Sequence, residues 1–159
     1  MSGRLIGIAR RAARKAPMER LEQAQADVDT GLEGDAKGTK TTRQVSILAR
    51  EDWEAALADL ALAPDALDWT VRRANFLVEG VRLPRAVGGL IAIGPVRIEV
   101  RAQTSPCKRM EVAQPGLLKA LSPYWRGGVL GKVIDAGPVA LGDPVEILRS
   151  PPETIRRLP

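Results

Sequence analysis

The chain has 159 residues, a formal net charge of +5, no histidine and a single cysteine. This length is enough for one domain with its own core, which needs neither disulfides nor a structural metal to fold. The lack of histidine excludes a Ser-His-Asp triad, a Cys-His dyad and zinc sites with histidine ligands. We expect a single domain over residues 1–149 and a surface tail over residues 150–159.

The positive charge predicts an anionic partner. The chain has only three tryptophans, one tyrosine and one phenylalanine, whereas proteins that bind single-stranded nucleic acid stack bases on aromatic side chains. We therefore do not expect nucleic acid as the main partner. A small phosphorylated ligand fits the charge as well, and a modest basic excess on an ordinary surface is a third interpretation.

The sequence gives no sign of export or membrane insertion. Arginines and a lysine interrupt the N-terminal apolar residues before they reach the length of a signal sequence. No apolar stretch is long enough to span a bilayer. Since a lone cysteine fits a reducing compartment, we expect a cytoplasmic protein with no membrane partner.

The N-terminal half predicts two strands, a long loop and a helix. Residues 5–9 form the first strand candidate, and the basic residues 10–20 are expected to form a loop. A glycine-rich segment over residues 30–42 precedes a short strand over residues 44–48. Residues 51–63 then predict a helix, because the first turn is acidic, the apolar residues recur at helical spacing and a proline follows.

The C-terminal half is dominated by strand patterns. Residues 71–78 predict one strand, residues 90–93 a second, and residues 96–101 a third with strict alternation of apolar and charged side chains. A short helix is predicted over residues 117–121, and hairpin-like strands separated by glycine turns over residues 129–147. Many short strands with few helices indicate a β-barrel with helical decoration.

Cys107 is the leading candidate for chemistry. It follows a strand pattern and directly precedes Lys108 and Arg109. The thiolate is the reactive form of cysteine, and neighbouring cations favour it. Free cysteines are also among the most buried and inert residues, so a packing role remains an alternative.

Arg73 and Asn75 are the next candidates. Arg73 lies in an apolar run, where an unpaired charge would be costly. Asn75 lies two positions further along the predicted strand, so the two side chains should share a face and line one pocket. An internal ion pair of Arg73 is the alternative.

Further cations and glycine turns are candidate contacts for a phosphate. Glycine turns at Gly34 and at Gly127-Gly128 would allow backbone N–H groups to approach an oxyanion. The candidate cations are Lys37, Lys40, Arg43, Arg73, Lys108 and Arg109. Each of them could equally be a solvated surface charge.

The order of several motifs resembles the MOSC domain, the module found at the C-terminus of molybdenum-cofactor sulfurases and as stand-alone bacterial proteins. The resemblance covers roughly residues 3–148. The segments that carry it are Gly31-Leu32-Glu33-Gly34-Asp35, Arg43-Gln44-Val45, Arg73-Ala74-Asn75-Phe76, the paired strands from Gly89 to Val100 with a turn at Gly94-Pro95, Thr104, Pro106 and Cys107 with Met110-Glu111, Arg126-Gly127-Gly128, Gly137 and Gly142-Asp143.

The resemblance implies a mainly β (α+β) fold, a mixed and mostly antiparallel β-barrel with a few short helices. It implies a cysteine that carries sulfur as a persulfide or binds the molybdenum of a pyranopterin cofactor, and some relatives reduce N-hydroxylated compounds with that metal. On this basis Cys107 is the catalytic residue and metal ligand. The residues expected around the cofactor are Arg73, Asn75, Thr104, Lys108, Arg109, Lys37, Arg126 and Gly127.

The chain departs from the family pattern at one position. Many members carry a histidine just after the Gly-Asp turn, and Lys37 stands about there instead. A lysine can contact a phosphate but is a poor acid or base at neutral pH unless it is buried. The pyridoxal-phosphate machinery of full sulfurases belongs to a separate domain, so we expect no pyridoxal phosphate here and a cysteine desulfurase or a redox protein as partner.

Two other hypotheses stay open at this point. The chain could be a non-catalytic basic β-barrel that binds nucleic acid or an acidic protein, with affinity that falls steeply with salt. It could also be a barrel that has lost the cofactor, in which case Cys107 would be buried and inert.

Overall fold

The computed structural model describes residues 3–36 and 43–153, which form a small barrel with three short α-helices. The strands are β1 Gly3–Arg10, β2 Glu19–Leu21, β3 Gln23–Asp27, β4 Gly31–Leu32, β5 Val45–Ala49, β6 Phe76–Glu79, β7 Leu90–Ile93, β8 Val96–Gln103, β9 Val129–Asp135, β10 Gly137–Ala140 and β11 Pro144–Arg149. The helices are α1 Arg50–Asp59, α2 Lys108–Ala113 and α3 Leu117–Leu121, with 3-10 turns at Trp69–Arg72 and Pro123–Trp125.

Seven strands close into the barrel in the order β11-β7-β8-β9-β5-β6-β1, and β1 returns to pair with β11. The closing register places Gly3 opposite Val145. Among the described strands only β5 and β6 run parallel, while every other pairing is antiparallel. The predicted mixed, mostly antiparallel barrel with a few short helices is confirmed.

The barrel interior is filled by alternate side chains of its strands. Val96, Ile98 and Val100 of β8 are fully buried, whereas Arg97 between them is exposed. This is the alternation that the sequence shows, and a slip of one residue would turn the apolar set to solvent. A second, shorter sheet, β10-β3-β4, adjoins the barrel.

A second apolar cluster joins the helices to the outside of the barrel. Trp53 and Leu57 of α1 pack with Leu117 and Leu121 of α3, and Met110 of α2 is buried in the same cluster. Full burial of such a side chain contributes about 1.5–3 kcal/mol. Met110 therefore fixes α2, and with it the residues that begin this helix.

The predicted strand over residues 71–78 is wrong in its first half. The chain forms a 3-10 turn at Trp69–Arg72, Arg73 adopts a left-handed conformation (φ 60°, ψ 31°), and the strand begins only at Phe76. Asp68 starts the turn by accepting a hydrogen bond from the Thr70 N–H. Consequently Arg73 and Asn75 do not share the face of a strand.

The first helix and several strands also differ from the sequence-based expectation. The first helix ends at Asp59, well before Pro64, because the N–H groups of Leu60 and Leu62 both bond to the Leu57 carbonyl. Strands β2, β3 and β4 and helix α2 were not predicted, and β2 begins inside the expected loop over residues 10–20. The expected tail over residues 150–159 is described only as far as residue 153, where Glu153 pairs with Arg82 at 2.7 Å.

No helix in the two described ranges is long and apolar enough to cross a membrane.

Candidate functional site

A cavity of ≈ 180 Å³ lies at the end of the barrel where β1 and β8 finish and β6 begins. It is a partly open pocket rather than a sealed void, and the segments around it come from five separate parts of the chain. The lining residues are Arg11, Met18, Asp35, Ser46, Arg72, Arg73, Asn75, Thr104, Cys107, Arg109 and Met110. The cavity therefore brings the only cysteine together with several cations.

Cys107 is exposed at the rim of this cavity. It is the residue immediately before α2, in an extended conformation with φ −123°. Its side chain is not sealed among apolar neighbours, as a packing cysteine would be. The buried Met110 three residues on anchors the helix, so the thiol is held in place and still accessible.

Arg72 forms the floor of the cavity and ties two loops together. The residue is only 7% exposed. Its Nε donates to the Gly127 carbonyl at 3.1 Å, and its Nη2 donates to the Thr104 carbonyl at 2.6 Å. Burial lowers the pKa of the Arg72 guanidinium below its usual value, while the nearby Cys107 raises it in the opposite direction. Cys107 and Arg72 thus lie within electrostatic reach of each other.

Two polar atoms at the cavity are buried without a partner. Within the described ranges, neither Nη1 of Arg73 nor Oγ1 of Thr104 makes a hydrogen bond. Leaving a buried polar group unpaired costs about 1–3 kcal/mol, more when the group is charged. Burial, followed by repulsion from Arg11 and Arg109, lowers the pKa of Arg73. A bound anion that accepts hydrogen bonds from both atoms would relieve all of these costs.

The cavity arginines differ from most other arginines of the protein. Arginines such as Arg50, Arg126 and Arg149 form ion pairs with neighbouring carboxylates. Among the described residues, none of the four cavity arginines has a carboxylate oxygen within 4.0 Å; they are Arg11, Arg72, Arg73 and Arg109. Asp35 is the single carboxylate in the lining, so the cavity carries a net positive charge.

Asn75 lines the cavity and also connects three segments of the barrel. Its Oδ1 accepts from the Ser46 N–H at 3.0 Å, and its Nδ2 donates to the Ala9 carbonyl at 3.2 Å. Its own N–H donates to Ser46 Oγ at 3.2 Å. The side chain is 2% exposed, so these bonds hold β1, β5 and the start of β6 together under the pocket.

The structure brings together only part of the predicted site. Cys107, Arg73, Asn75, Thr104 and Arg109 all line the cavity. The remaining expected contacts lie elsewhere or outside the described residues.

Lys108 is exposed and does not line the cavity. Arg126 is held by Asp59 at 2.5 Å and by the Ala120 carbonyl at 3.1 Å. Gly127 is buried and offers its carbonyl to Arg72 instead of an N–H to the pocket. Lys37 and Lys40 lie outside the described residues.

Sequence reasoning missed Arg11 and Arg72. Arg72 directly precedes Arg73, and a strand assignment would turn the two side chains to opposite faces. The 3-10 turn followed by the left-handed Arg73 places both at the cavity. Arg11 follows the last residue of β1, and a basic residue at a strand end was a usable signal.

Comparison with known proteins agrees with the fold and the order of the motifs. The MOSC domain family model matches residues 32–146. The chain belongs to the MOSC domain family. This family is associated with the molybdenum cofactor. No curated protein sequence matches this MOSC domain.

Solved structures show the same fold at low sequence identity. The YuaD protein of Bacillus subtilis superposes with a TM-score of 0.75 at 16% identity, covering 91% of this chain and 94% of that one. YiiM from Geobacillus stearothermophilus gives 0.70 at 12% identity, covering 92% and 75%. YiiM from Escherichia coli gives 0.68 at 17% identity, covering 96% and 73%.

The residues of the cavity fit one part of a molybdenum cofactor. No group of three or more Cys, Asp and Glu side chains in the described ranges could hold a metal ion, so a metal here would need ligands supplied by a cofactor. A thiolate suits a soft or redox-active metal, and the orphaned Arg73 and Thr104 atoms suit anionic groups. Since pockets that enclose drug-sized molecules measure about 300–1,000 Å³, most of a pterin would lie outside the cavity.

Asp68 holds the 3-10 turn that positions Arg72 and Arg73, and its effect should depend on pH. Partial burial raises the pKa of this carboxyl, but hydrogen bonds from Thr70 and Arg20 lower it by more. The net result is a pKa below the usual value of 3.8. A lowered folded pKa means that the carboxylate stabilises the fold above pH 3.8 and loses this effect as the pH falls through the folded value.

We expect Asp68→Ala to lower the free energy of unfolding by about 1 kcal/mol at neutral pH, as loss of an N-cap does. Asp68→Asn keeps the cap without the charge. The difference in free energy of unfolding between this variant and the unmodified protein should therefore shrink as the pH falls below 3.8. Urea unfolding at several pH values measures both effects. If the difference in free energy of unfolding between Asp68→Asn and the unmodified protein grows in acid, the charged Asp68 carboxylate does not stabilise the turn.

Proposed function

We propose that this MOSC domain is a molybdenum-cofactor-associated protein whose chemistry takes place at the Sγ atom of Cys107. This sulfur would either carry a second sulfur atom as a persulfide or bind the metal as a ligand. The observation that carries this proposal is the exposed thiol at the rim of a cavity with four arginines that lack carboxylate partners among the described residues. Membership of the family supplies the cofactor class.

The residues of the cavity have separable roles in this proposal. Cys107 holds the transferable sulfur or the metal. Arg73 and Thr104 have buried atoms free to bind an anionic group, and Arg11 and Arg109 add positive charge around it. Arg72 positions the loop carbonyls of Thr104 and Gly127 and does not need to touch the ligand. When bound, the molybdenum centre would supply redox chemistry, such as reduction of N-hydroxylated compounds.

The location of the protein and its partner belong to the same proposal. A free thiol stays reduced most readily in a reducing compartment, which agrees with a cytoplasmic protein. A cysteine desulfurase would load the sulfur, or a redox protein would supply electrons. The exposed position of Cys107 before α2 is accessible to such a partner.

The test is analysis of molybdenum and of cyanide-labile sulfur in protein produced in cells that make the cofactor. We expect the unmodified protein to retain one or both, and Cys107→Ser to retain neither. Because Cys107 is exposed, the substitution should change the free energy of unfolding by no more than about 0.5 kcal/mol. Labile sulfur without molybdenum would identify a carrier, and bound molybdenum lost with the thiol would identify a ligand.

Equal molybdenum and sulfur contents in the unmodified protein and Cys107→Ser would reject the proposal. Circular dichroism and urea unfolding of both proteins show that any difference arises at the sulfur and not from unfolding.

A further inference from the structure

The geometry points to a specific small substrate for the same site: we propose that Cys107 takes sulfur directly from thiosulfate, whose sulfonate group binds among Arg11, Arg73, Arg109 and Thr104. This inference rests on the sulfur-carrier form of the proposed function. It adds a donor that needs no second protein.

The first support is the charge and hydrogen bonding of the cavity. A sulfonate offers three oxygen acceptors and negative charge. The cavity offers the Nη1 atom of Arg73 and the Oγ1 atom of Thr104, both buried and without partners among the described residues. Arg11 and Arg109 stand close enough to Arg73 to disfavour its charge, and an anion between them would remove that repulsion. Charge-assisted hydrogen bonds of this kind are the strong ones.

The second support is size. The cavity of ≈ 180 Å³ is smaller than the pockets that enclose drug-sized ligands, about 300–1,000 Å³. It suits a sulfonate with one further sulfur atom. Arg72, which is 7% exposed, forms the floor of the cavity. Its Nη2 donates to the Thr104 carbonyl and so keeps Thr104 in position.

The third support is the position of the nucleophile. Cys107 lies on the rim of the cavity and interacts electrostatically with Arg72. An anion held by its sulfonate inside the cavity would direct its outer sulfur outward, toward the thiol. Proximity of this kind converts a reaction between two species in solution into one within a complex.

The reaction balances without an external oxidant or reductant. The Cys107 thiolate attacks the outer sulfur of thiosulfate and forms a new S–S bond. The bond between that sulfur and the sulfonate sulfur breaks, and its electron pair leaves with sulfite. The products are the Cys107 persulfide and free sulfite. A thiol acceptor, or cyanide in an assay, then takes the outer sulfur and restores the thiolate, giving thiocyanate in the case of cyanide.

The experiment mixes the purified full chain with thiosulfate and measures sulfite release, together with the intact mass of the protein. We expect sulfite and one added sulfur atom on the protein, neither of them in Cys107→Ser, and catalytic formation of thiocyanate when cyanide is added. Arg73→Gln should lower kcat/KM for thiosulfate by about a hundredfold, as removal of an oxyanion donor does.

Two further variants separate binding from folding. Thr104→Val keeps the shape of the side chain and removes Oγ1, and it should lower kcat/KM by about tenfold because one hydrogen bond to a charged group is lost. Arg97→Gln alters an exposed arginine on β8, outside the cavity, and should leave kcat/KM for thiosulfate unchanged. If Arg73→Gln does not fold, Thr104→Val still tests the assignment.

The outcomes distinguish this inference from the proposed function. Absence of sulfite and persulfide overturns the thiosulfate reaction, whereas molybdenum or labile sulfur in protein isolated from cells would still support the proposed function. A persulfide formed equally well in the unmodified protein, Arg73→Gln and Thr104→Val overturns the sulfonate site. Protein from cells that holds neither molybdenum nor sulfur contradicts the proposed function, even if thiosulfate reacts in the assay.

Discussion

Gly128→Ala is expected to lower the free energy of unfolding by about 3–5 kcal/mol, since it combines backbone strain with a steric clash. Gly128 has φ +97°, and a Cβ built there would lie 2.3 Å from the carbonyl oxygen of Ile47 in β5. That neighbour is backbone in the middle of the barrel, so it cannot move aside without disturbing the pairing of β5 with β9. Urea denaturation followed by circular dichroism measures the loss.

Gly142→Ala is the matched control for this substitution. Gly142 has nearly the same backbone conformation, φ +93°, but a Cβ there would meet nothing within 4 Å. Only the left-handed conformation is penalised, by about 1–2 kcal/mol. Equal losses at the two positions would show that Gly128 is required for its conformation alone and that the approach to β5 costs nothing.

Asn75→Ala is expected to have the second largest effect, a loss of about 2–4 kcal/mol in the free energy of unfolding. The substitution leaves the Ser46 N–H and the Ala9 carbonyl buried without their partners, and each such group costs about 1–3 kcal/mol. The substitution should reduce the stability of the fold more than it affects ligand binding, because the Asn75 amide already bonds to two backbone groups of the barrel. Thermal and urea unfolding of the variant provide the measurement.

Ser46→Ala provides the comparison for Asn75. It removes only Ser46 Oγ, which accepts from the Asn75 N–H at 3.2 Å, and this N–H keeps its bond to the Ser46 carbonyl at 3.0 Å. The loss should therefore not exceed that of a single hydrogen bond, about 0.5–1.5 kcal/mol. If Asn75→Ala proves no more destabilising than Ser46→Ala, the amide side chain is not a structural link, and its role at the cavity would be ligand binding instead.

The sequence predicts the barrel well where local patterns and global topology agree. In β8, strict alternation coincides with burial on one face, and the turn at Gly94 follows from its glycine. Helix α1 is also recognisable, because an acidic first turn precedes Trp53 and Leu57. In these elements the residue types reflect the same burial that the fold imposes.

The candidate site is harder to predict because its geometry depends on irregular backbone. The segment before β6 contains enough apolar residues to resemble a strand, but Asp68 caps a 3-10 turn and Arg73 adopts a left-handed conformation. Nothing in the spacing shows that Arg72 reaches across to Gly127, 55 residues away. Cys107, Arg73 and Arg109 could be selected from the sequence, whereas the place of Arg72 at the cavity required the tertiary structure.

The two hydrogen bonds of Arg72 have a consequence for how this barrel could acquire new chemistry. They fasten Thr104, which follows β8, and Gly127, which lies two residues before β9 begins. The Thr104 N–H also donates to the Gly128 carbonyl at 2.8 Å. Residues 105–126, which include Cys107, thus form a long connection between β8 and β9, and these hydrogen bonds hold its two ends together. Within this segment the exposed residues, such as Cys107 and Lys108, should tolerate substitution better than the buried Met110, Leu117 and Leu121, which pack in the cluster with α1. The residue at position 107 and its exposed neighbours can therefore change while the barrel strands and the buried contacts of α2 and α3 stay the same.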